Sequence, residues 1–436
     1  MLRWLPPRIG RPLLIFAALL GLIVQFATSP AASAADSPPY VTLAGRAVLP
    51  ADTFAPGPPS GFAIVGDTNG RGVPFANQPV QGFSAVLPTW NGNYLVMADN
   101  GFGAKANSAD FRLRWYALKP DFKTKDGSAG TVQVIGYTEL SDPSHKVPFT
   151  IVNEHLDRVL TGADFDIESF RQVADGSFWF GDEFGPYLLH TDVAGKLLDA
   201  PIPTPYPAAL APFARGRPFV QSPDNPAFTT LPNQDARIAA ANLPSSKGFE
   251  GMALNASGTR LYPLLEGPLI DDPVRTRLLI QEFDLATKSY TGNAWFYPLS
   301  APGNAIGDMT AINDHQFLVI ERDNGQGTAA QFKRIYQIDL RTAGTDGIVA
   351  KQLVVDLMAL TDRDGLTHSE AGALGLGAVF TLPFVTIEDV YPIDDQTLLV
   401  INDNNYPFSS GRRPGKAPDD NEFVLLHLPR PLDLAR

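Results

Sequence analysis

Asp166-Ile-Glu-Ser-Phe-Arg-Gln-Val173, a turn at Asp175-Gly176, then Ser177-Phe-Trp-Phe-Gly-Asp-Glu183 decides how this chain is read. Two short runs rich in apolar and aromatic residues flank an Asp-Gly pair, which is a hairpin signal. The phrase occurs four more times. Gln81–Pro88 leads to Tyr94–Asn100, Gly248–Leu254 to Arg260–Glu266, Ile306–Ile312 to Gln316–Asp323, and Thr386–Ile393 to Thr397–Asn404. Turn formers separate the halves at Asn91-Gly92, Ser257-Gly258, Asn313-Asp314 and Asp394-Asp395. Third strands follow at Leu113–Leu118, Tyr187–Asp192, Leu278–Leu285, Arg334–Leu340 and Phe423–Leu428.

A unit of three or four strands that recurs with loop insertions is the blade of a propeller, in which blades surround a central channel. The expected fold is all-β, a single β-propeller of five to six blades. Six is the favoured count. The sixth would come from strands around Val41–Leu49, Val132–Leu140 and Val354–Leu357, unless these are outer strands of the five. Two sandwich domains would need an internal linker that the sequence lacks. Residues 199–245 carry ten prolines and read as a surface excursion between blades. Residues 359–381, with Asp362, Asp364, His368 and Glu370, read as a lid loop.

The chain has 436 residues, 34 Lys+Arg against 46 Asp+Glu, a formal charge of −12, and no cysteine. Disulfides, a thiol nucleophile and thiolate metal sites are thereby excluded. An acidic balance argues against nucleic acid as a partner. Arg3, Arg8 and Arg11 precede an apolar run from Leu13 to Ala27, and Ala32-Ser33-Ala34 supplies a small-residue cleavage pattern. Residues 1–34 therefore read as a signal peptide and residues 35–436 as the propeller domain. A secreted or periplasmic monomer with no stable membrane span is expected.

Aligned, the repeats place Ser84, Glu168, Glu250, Asp308 and Glu388 at one position of the first strand. The second strands end in Asp99, Asp182-Glu183, Glu266, Glu321-Arg322-Asp323 and Asp403. An acid at a strand end is often only a turn former. Four acids in five at a first-strand position are harder to explain that way, because the innermost strands line the channel. Hard cations such as calcium take six to eight oxygen ligands, which a ring of carboxylates supplies. Lys105, Lys247, Arg322 and Lys333-Arg334 are the nearest bases, suited to a phosphate or carboxylate. There is no Gly-x-Ser-x-Gly elbow, no Walker loop and no His-Glu-x-x-His. His190 and His427, in apparent strands, read as packed or surface residues.

Four stretches together resemble the phytase-like β-propeller family, whose domain is described as esterase-like activity of phytase. They are Gly45–Phe54, Asp175–Pro186, Lys247–Ala253, and Glu321-Arg-Asp323 with Lys333–Tyr336. The likeness runs from about residue 45 to 428. It implies an exported, calcium-dependent hydrolase of phosphate esters, with another divalent cation as an alternative. Glu168, Glu250, Asp308, Glu388, Glu266 and Asp403 would hold the metal. Asp182 and Glu183 would act as ligand or base, and Lys247 and Arg322 would neutralise the anionic substrate. The chain departs from the family at Gly82-Phe-Ser-Ala85 and Asp166-Ile-Glu-Ser169, where a glycine is expected last; both changes are expected to narrow the space near the axis. A lactonase-type enzyme and a non-catalytic, calcium-stabilised binding propeller are the rival readings.

Overall fold

In the computed structural model, residues 40–435 are described. The segment read as a signal peptide lies outside them. The five phrases become four-stranded antiparallel sheets. The first runs through Phe83–Pro88, Tyr94–Ala98, Arg114–Asp121 and Thr131–Glu139. The second, third and fourth begin with inner strands Ile167–Gln172, Phe249–Leu254 and Ala305–Ala311. The fifth takes Asp389–Pro392, Thr397–Ile401 and Asn421–His427 from the C-terminal end, and its outer strand, Thr42–Leu49, from the other end of the chain. That last pairing is antiparallel, from Thr42 opposite His427 to Leu49 opposite Asn421.

The inner strands pack on one another in a cycle, first on second through fourth on fifth, and fifth back on first. A separate apolar core fills each junction. Trp115, Phe170 and Phe180 fill the first–second, Trp179, Phe249 and Leu261 the second–third, and Tyr262, Met309 and Phe317 the third–fourth. Ile320, Val390 and Val400 fill the fourth–fifth, while Phe83, Val96 and Phe423 join the fifth to the first. The fold is a β-propeller, closed because every blade buries both faces against neighbours.

Among the described residues there are five such units. The segments considered for a sixth are their outer strands: Thr42–Leu49 on the fifth, Thr131–Glu139 on the first, Lys351–Asp356 on the fourth. The favoured count of six fails because those runs complete existing sheets. The 199–245 excursion carries three-residue and six-residue 3-10 turns and one short helix, Gln234–Ala240. The 359–381 loop is anchored instead of hinged. Leu360 and Phe380 are buried in the fourth–fifth core, and Asp362 accepts hydrogen bonds from the Leu366 and Thr367 amides at 2.8 and 2.7 Å.

Candidate metal and anion site

Each of the first four inner strands slips by one residue against its partner at the same place. The slips fall between Phe83 and Ala85, Ile167 and Ser169, Phe249 and Gly251, and Ile306 and Asp308. A bulge of this kind leaves one residue unpaired and re-aims its side chain. The re-aimed residues are Ser84, Glu168, Glu250 and Gly307. Glu388 holds the same station just ahead of the fifth ladder, which begins at Asp389 opposite Ile401.

The fourth blade therefore corrects the sequence alignment by one residue. Its equivalent is Gly307, not Asp308, and a Cβ there would lie 2.0 Å from the Ile387 carbonyl oxygen. No acid fits. Asp308 instead meets Arg171 Nη2 at 3.1 Å and accepts the Val390 amide at 3.0 Å, pinning the second, fourth and fifth blades together away from the cavity. The first blade carries a serine, whose Oγ donates to Glu388 Oε2 at 3.0 Å.

Above the bulges lies a cavity of about 250 Å³ lined by eight carboxylates: Asp99, Asp166, Glu168, Glu183, Glu250, Glu266, Glu388 and Asp403. Only Lys247 and Arg322 among its lining residues are basic. Arg322 Nη2 reaches Glu266 at 3.0 Å, Glu250 at 3.3 Å and Glu388 at 3.5 Å, and Lys247 pairs with Glu266. Asp403 is held by the Asn405 amide at 2.6 Å and by Thr386 Oγ1 at 3.0 Å.

So many acids in a buried space cannot all stay ionised. Burial, reinforced by Asp403, pushes Glu388 up to about 8. Burial raises Asp166 to about 7 and Asp403 to about 6. Glu168, Glu183 and Glu250 are driven well above the usual carboxylate range by burial, then by Asp166, Glu266 and Glu266 respectively. Burial opposes the charge on Lys247, but Glu266 and Glu183 outweigh it and raise its pKa.

Of the predicted site residues, the structure gathers Glu168, Glu250, Glu266, Glu388, Asp403, Glu183, Lys247 and Arg322 around this cavity. Asp308 and Asp182 are left out. Both Asp182 oxygens accept backbone amides, Asp166 at 2.9 Å and Gly185 at 2.7 Å, so Asp182 fixes the turn behind Glu183. No residue of the 359–381 loop lines the cavity. Ala85 and Ser169 do not narrow it either. Ala85 packs in the first–second core, and Ser169 Oγ lies 2.5 Å from where a Cβ on Gly181 would stand.

Asp166 was missed as a site residue, although it lies two residues before Glu168 and alternation puts i and i+2 on one face. Asp166, Glu168 and Glu183 offer carboxylate oxygens within 4.8 Å of one another, and so do Glu183, Glu250 and Glu266. Glu183 belongs to both sets. Its Oε1 and the Oδ1 of Asp166 are buried without a hydrogen-bond partner. An all-oxygen donor set with orphaned acceptors fits a hard divalent cation.

His190 is more than packed: its Nδ1 lies 2.7 Å from Asp199 and its Nε2 2.9 Å from Ser177 Oγ. Ser177 Oγ also donates to Asp175 at 2.6 Å, and Trp179 stacks on the imidazole at 4.2 Å. The group ties the second blade's hairpin to its third strand.

A curated relative, an uncharacterized secreted protein of Arthroderma benhamiae, is 27% identical over 177 residues, 36% of this chain. The match spans 34% of that relative's length. Similar solved structures include a luciferin-regenerating enzyme (11% identity, 83% of each chain, TM-score 0.34). Another is the calcium-binding protein regucalcin of Agrobacterium tumefaciens (11%, 82% of this chain and 78% of that one, TM-score 0.32). At these scores neither bears on this chain's chemistry. The model of the family described as esterase-like activity of phytase matches residues 78–406, most of the described propeller, and the chain belongs to this phytase-like family.

Proposed function

We propose that this chain is an exported, divalent-cation-dependent hydrolase of phosphate esters, with calcium as the cation. Membership of the phytase-like family suggests a hydrolase-type propeller. The observation that carries the finer reading is the cavity of eight carboxylates and two bases, with two oxygen clusters meeting at Glu183. Export rests on the N-terminal sequence pattern and on the secreted relative. No helix among the described residues is long and apolar enough to cross a membrane.

Asp166, Glu168, Glu183, Glu250 and Glu266 would hold the cation, with Glu388 and Asp403 beside them. When bound, a hard divalent cation polarises a phosphoryl oxygen and acidifies bound water. The chain's own groups do the rest. Lys247 Nζ and the Arg322 guanidinium place positive charge where a phosphate would otherwise meet only carboxylates. Glu183, whose Oε1 is unpartnered, would serve as ligand or as the base that accepts a proton from water. Asp182 holds the backbone that orients it.

The test is turnover of a panel of phosphomonoesters, phosphodiesters and lactones by the purified mature chain, with chelator and with added calcium. Phosphate release that chelator abolishes and calcium restores is expected, and Glu183→Gln should lower kcat by about 100-fold or more while the fold is retained. Absence of metal-dependent phosphate release across the panel refutes the proposal. Lactone turnover alone would favour the lactonase reading, and calcium-raised melting without any turnover the binding-propeller reading.

A further inference from the structure

Beside the carboxylate cavity the same rim carries a second one, of about 560 Å³, walled by Lys105, Phe149, Ile151, Val152, Asp164 and Pro226 among others. Two segments of chain serve both. Gly103 lines the first cavity and Lys105 the second; Asp166 lines the first and Asp164 the second. Lys105 marks the junction, because its ammonium sits 4.9 Å over the ring of Phe184, the neighbour of Glu183.

The chemistry of the two spaces differs. In the second, Phe149, Ile151, Val152, Ala163 and Pro226 form an apolar wall beside Thr150, Asp164 and Thr229. Phe149 stacks on Tyr187 and packs tilted against Phe165, at 6.2 and 5.8 Å between centroids. The Val152 amide is fixed on Asp164 Oδ1 at 2.7 Å. Pro226 is carried by the proline-rich excursion, which Asn225 anchors through a 2.6 Å bond to the Gly185 carbonyl. Val152, one of the lining residues, is nonetheless 51% exposed. Lys105, half-buried, donates only to the Asp224 carbonyl, at 3.4 Å, and no carboxylate among the described residues pairs with it. An ammonium kept off any ion-pair partner is available to a ligand anion.

We infer that this second cavity is the leaving-group subsite of the same enzyme. It receives the apolar, aromatic or branched alcohol portion of an ester whose phosphoryl group occupies the carboxylate cavity, and Lys105 contacts a phosphoryl oxygen at the junction. This rests on the hydrolase reading above and narrows it: the substrate class is an aryl or bulky alkyl phosphate, whose apolar portion would cover Phe149, Val152 and Pro226.

The experiment compares 1-naphthyl phosphate with glycerol phosphate for the wild type, Val152→Asn and Lys105→Met, in calcium. Calorimetric binding of naphthyl and methyl phosphonates gives a readout independent of turnover. Val152→Asn, polar without adding charge beside Lys105, should raise KM and Kd for the naphthyl compounds about tenfold, with a smaller effect on glycerol phosphate and methyl phosphonate. Lys105→Met should weaken both classes alike. Turnover with no naphthyl preference, or a Val152→Asn effect equal on both classes, overturns the subsite while leaving the hydrolase reading intact. Failure of the wild type to hydrolyse any phosphate ester overturns both. Val152 is a surface residue, so the variant's melting temperature, expected unchanged, separates a subsite effect from misfolding.

Discussion

Replacing Arg322 by methionine tests whether the acidic cavity is organised around charge. The guanidinium is buried, with three glutamates at 3.0–3.5 Å. At such distances and an effective permittivity of about 20, one fully ionised pair is worth roughly 5 kcal/mol. Three such pairs do not sum, because burial raises both Glu250 and Glu388, the latter to about 8, and because the guanidinium lost its own hydration. Breaking a buried pair by removing one partner typically costs about 3–5 kcal/mol. At this chain length that is a fall in Tm on the order of 5 °C in chelator. Calcium should reverse the comparison. A positive charge beside the cation would oppose its binding, so the variant should bind calcium more tightly, by about tenfold (about 1.4 kcal/mol) or more. Thermal unfolding by circular dichroism, with and without calcium, together with calcium calorimetry, reads both effects. An Arg322→Met variant that melts like the wild type in chelator, or a gap that calcium widens instead of closing, refutes a cavity organised around charge.

Stability should depend on pH in a direction opposite to ordinary acid unfolding. Asp403, Asp166 and Glu388 titrate at about 6, 7 and 8 when folded, above their unfolded values near 4, so the folded state holds protons that the unfolded state has released. Stability is then lost as pH rises from about 4 through 8; in chelator the protein should be about 2–4 kcal/mol more stable at pH 6 than at pH 8 in urea titrations, and saturating calcium should remove the difference. Asp308→Asn should cost about 3 kcal/mol by stranding Arg171, yet leave calcium affinity unchanged, whereas Glu388→Gln should weaken calcium measurably in the same calorimetric titration. Gly307→Ala should destabilise by about 3 kcal/mol or more, because its Cβ meets a backbone oxygen of the next blade and not a side chain that can swing aside; a melt within 2 °C of the wild type would contradict this.

Most of the architecture was legible because each blade repeats its apolar alternation and turn pair, and those signals are local. Inner and second strands of all five blades lie where the phrases fall. The outer strands were harder to assign, since Thr42–Leu49 finds its partner only across the full length of the chain. At the site, one-residue errors arose where the backbone bulges. Counting residues cannot see that Ile306 and Asp308 flank an unpaired Gly307, so the acid that looks aligned belongs to the next station. Asp182 and Glu183 are adjacent and chemically alike, yet one is consumed by two amides and the other faces the cavity with an unpartnered oxygen. Loop anchorage also escapes composition: Asp362 looked like a lid acid and is a turn brace.

The fifth blade is finished by Thr42–Leu49, the first strand among the described residues. Arg46 and Glu422, 376 residues apart in sequence, hydrogen-bond at 3.0 Å across that seam. Bringing such distant segments together carries a large loop-closure entropy, and contacts of this separation slow folding. The ring therefore cannot shut until the last sheet has emerged, and until then the blades at the opening present unpaired edges. A chain built this way stays unlocked until those two ends pair, as the export proposed above would require.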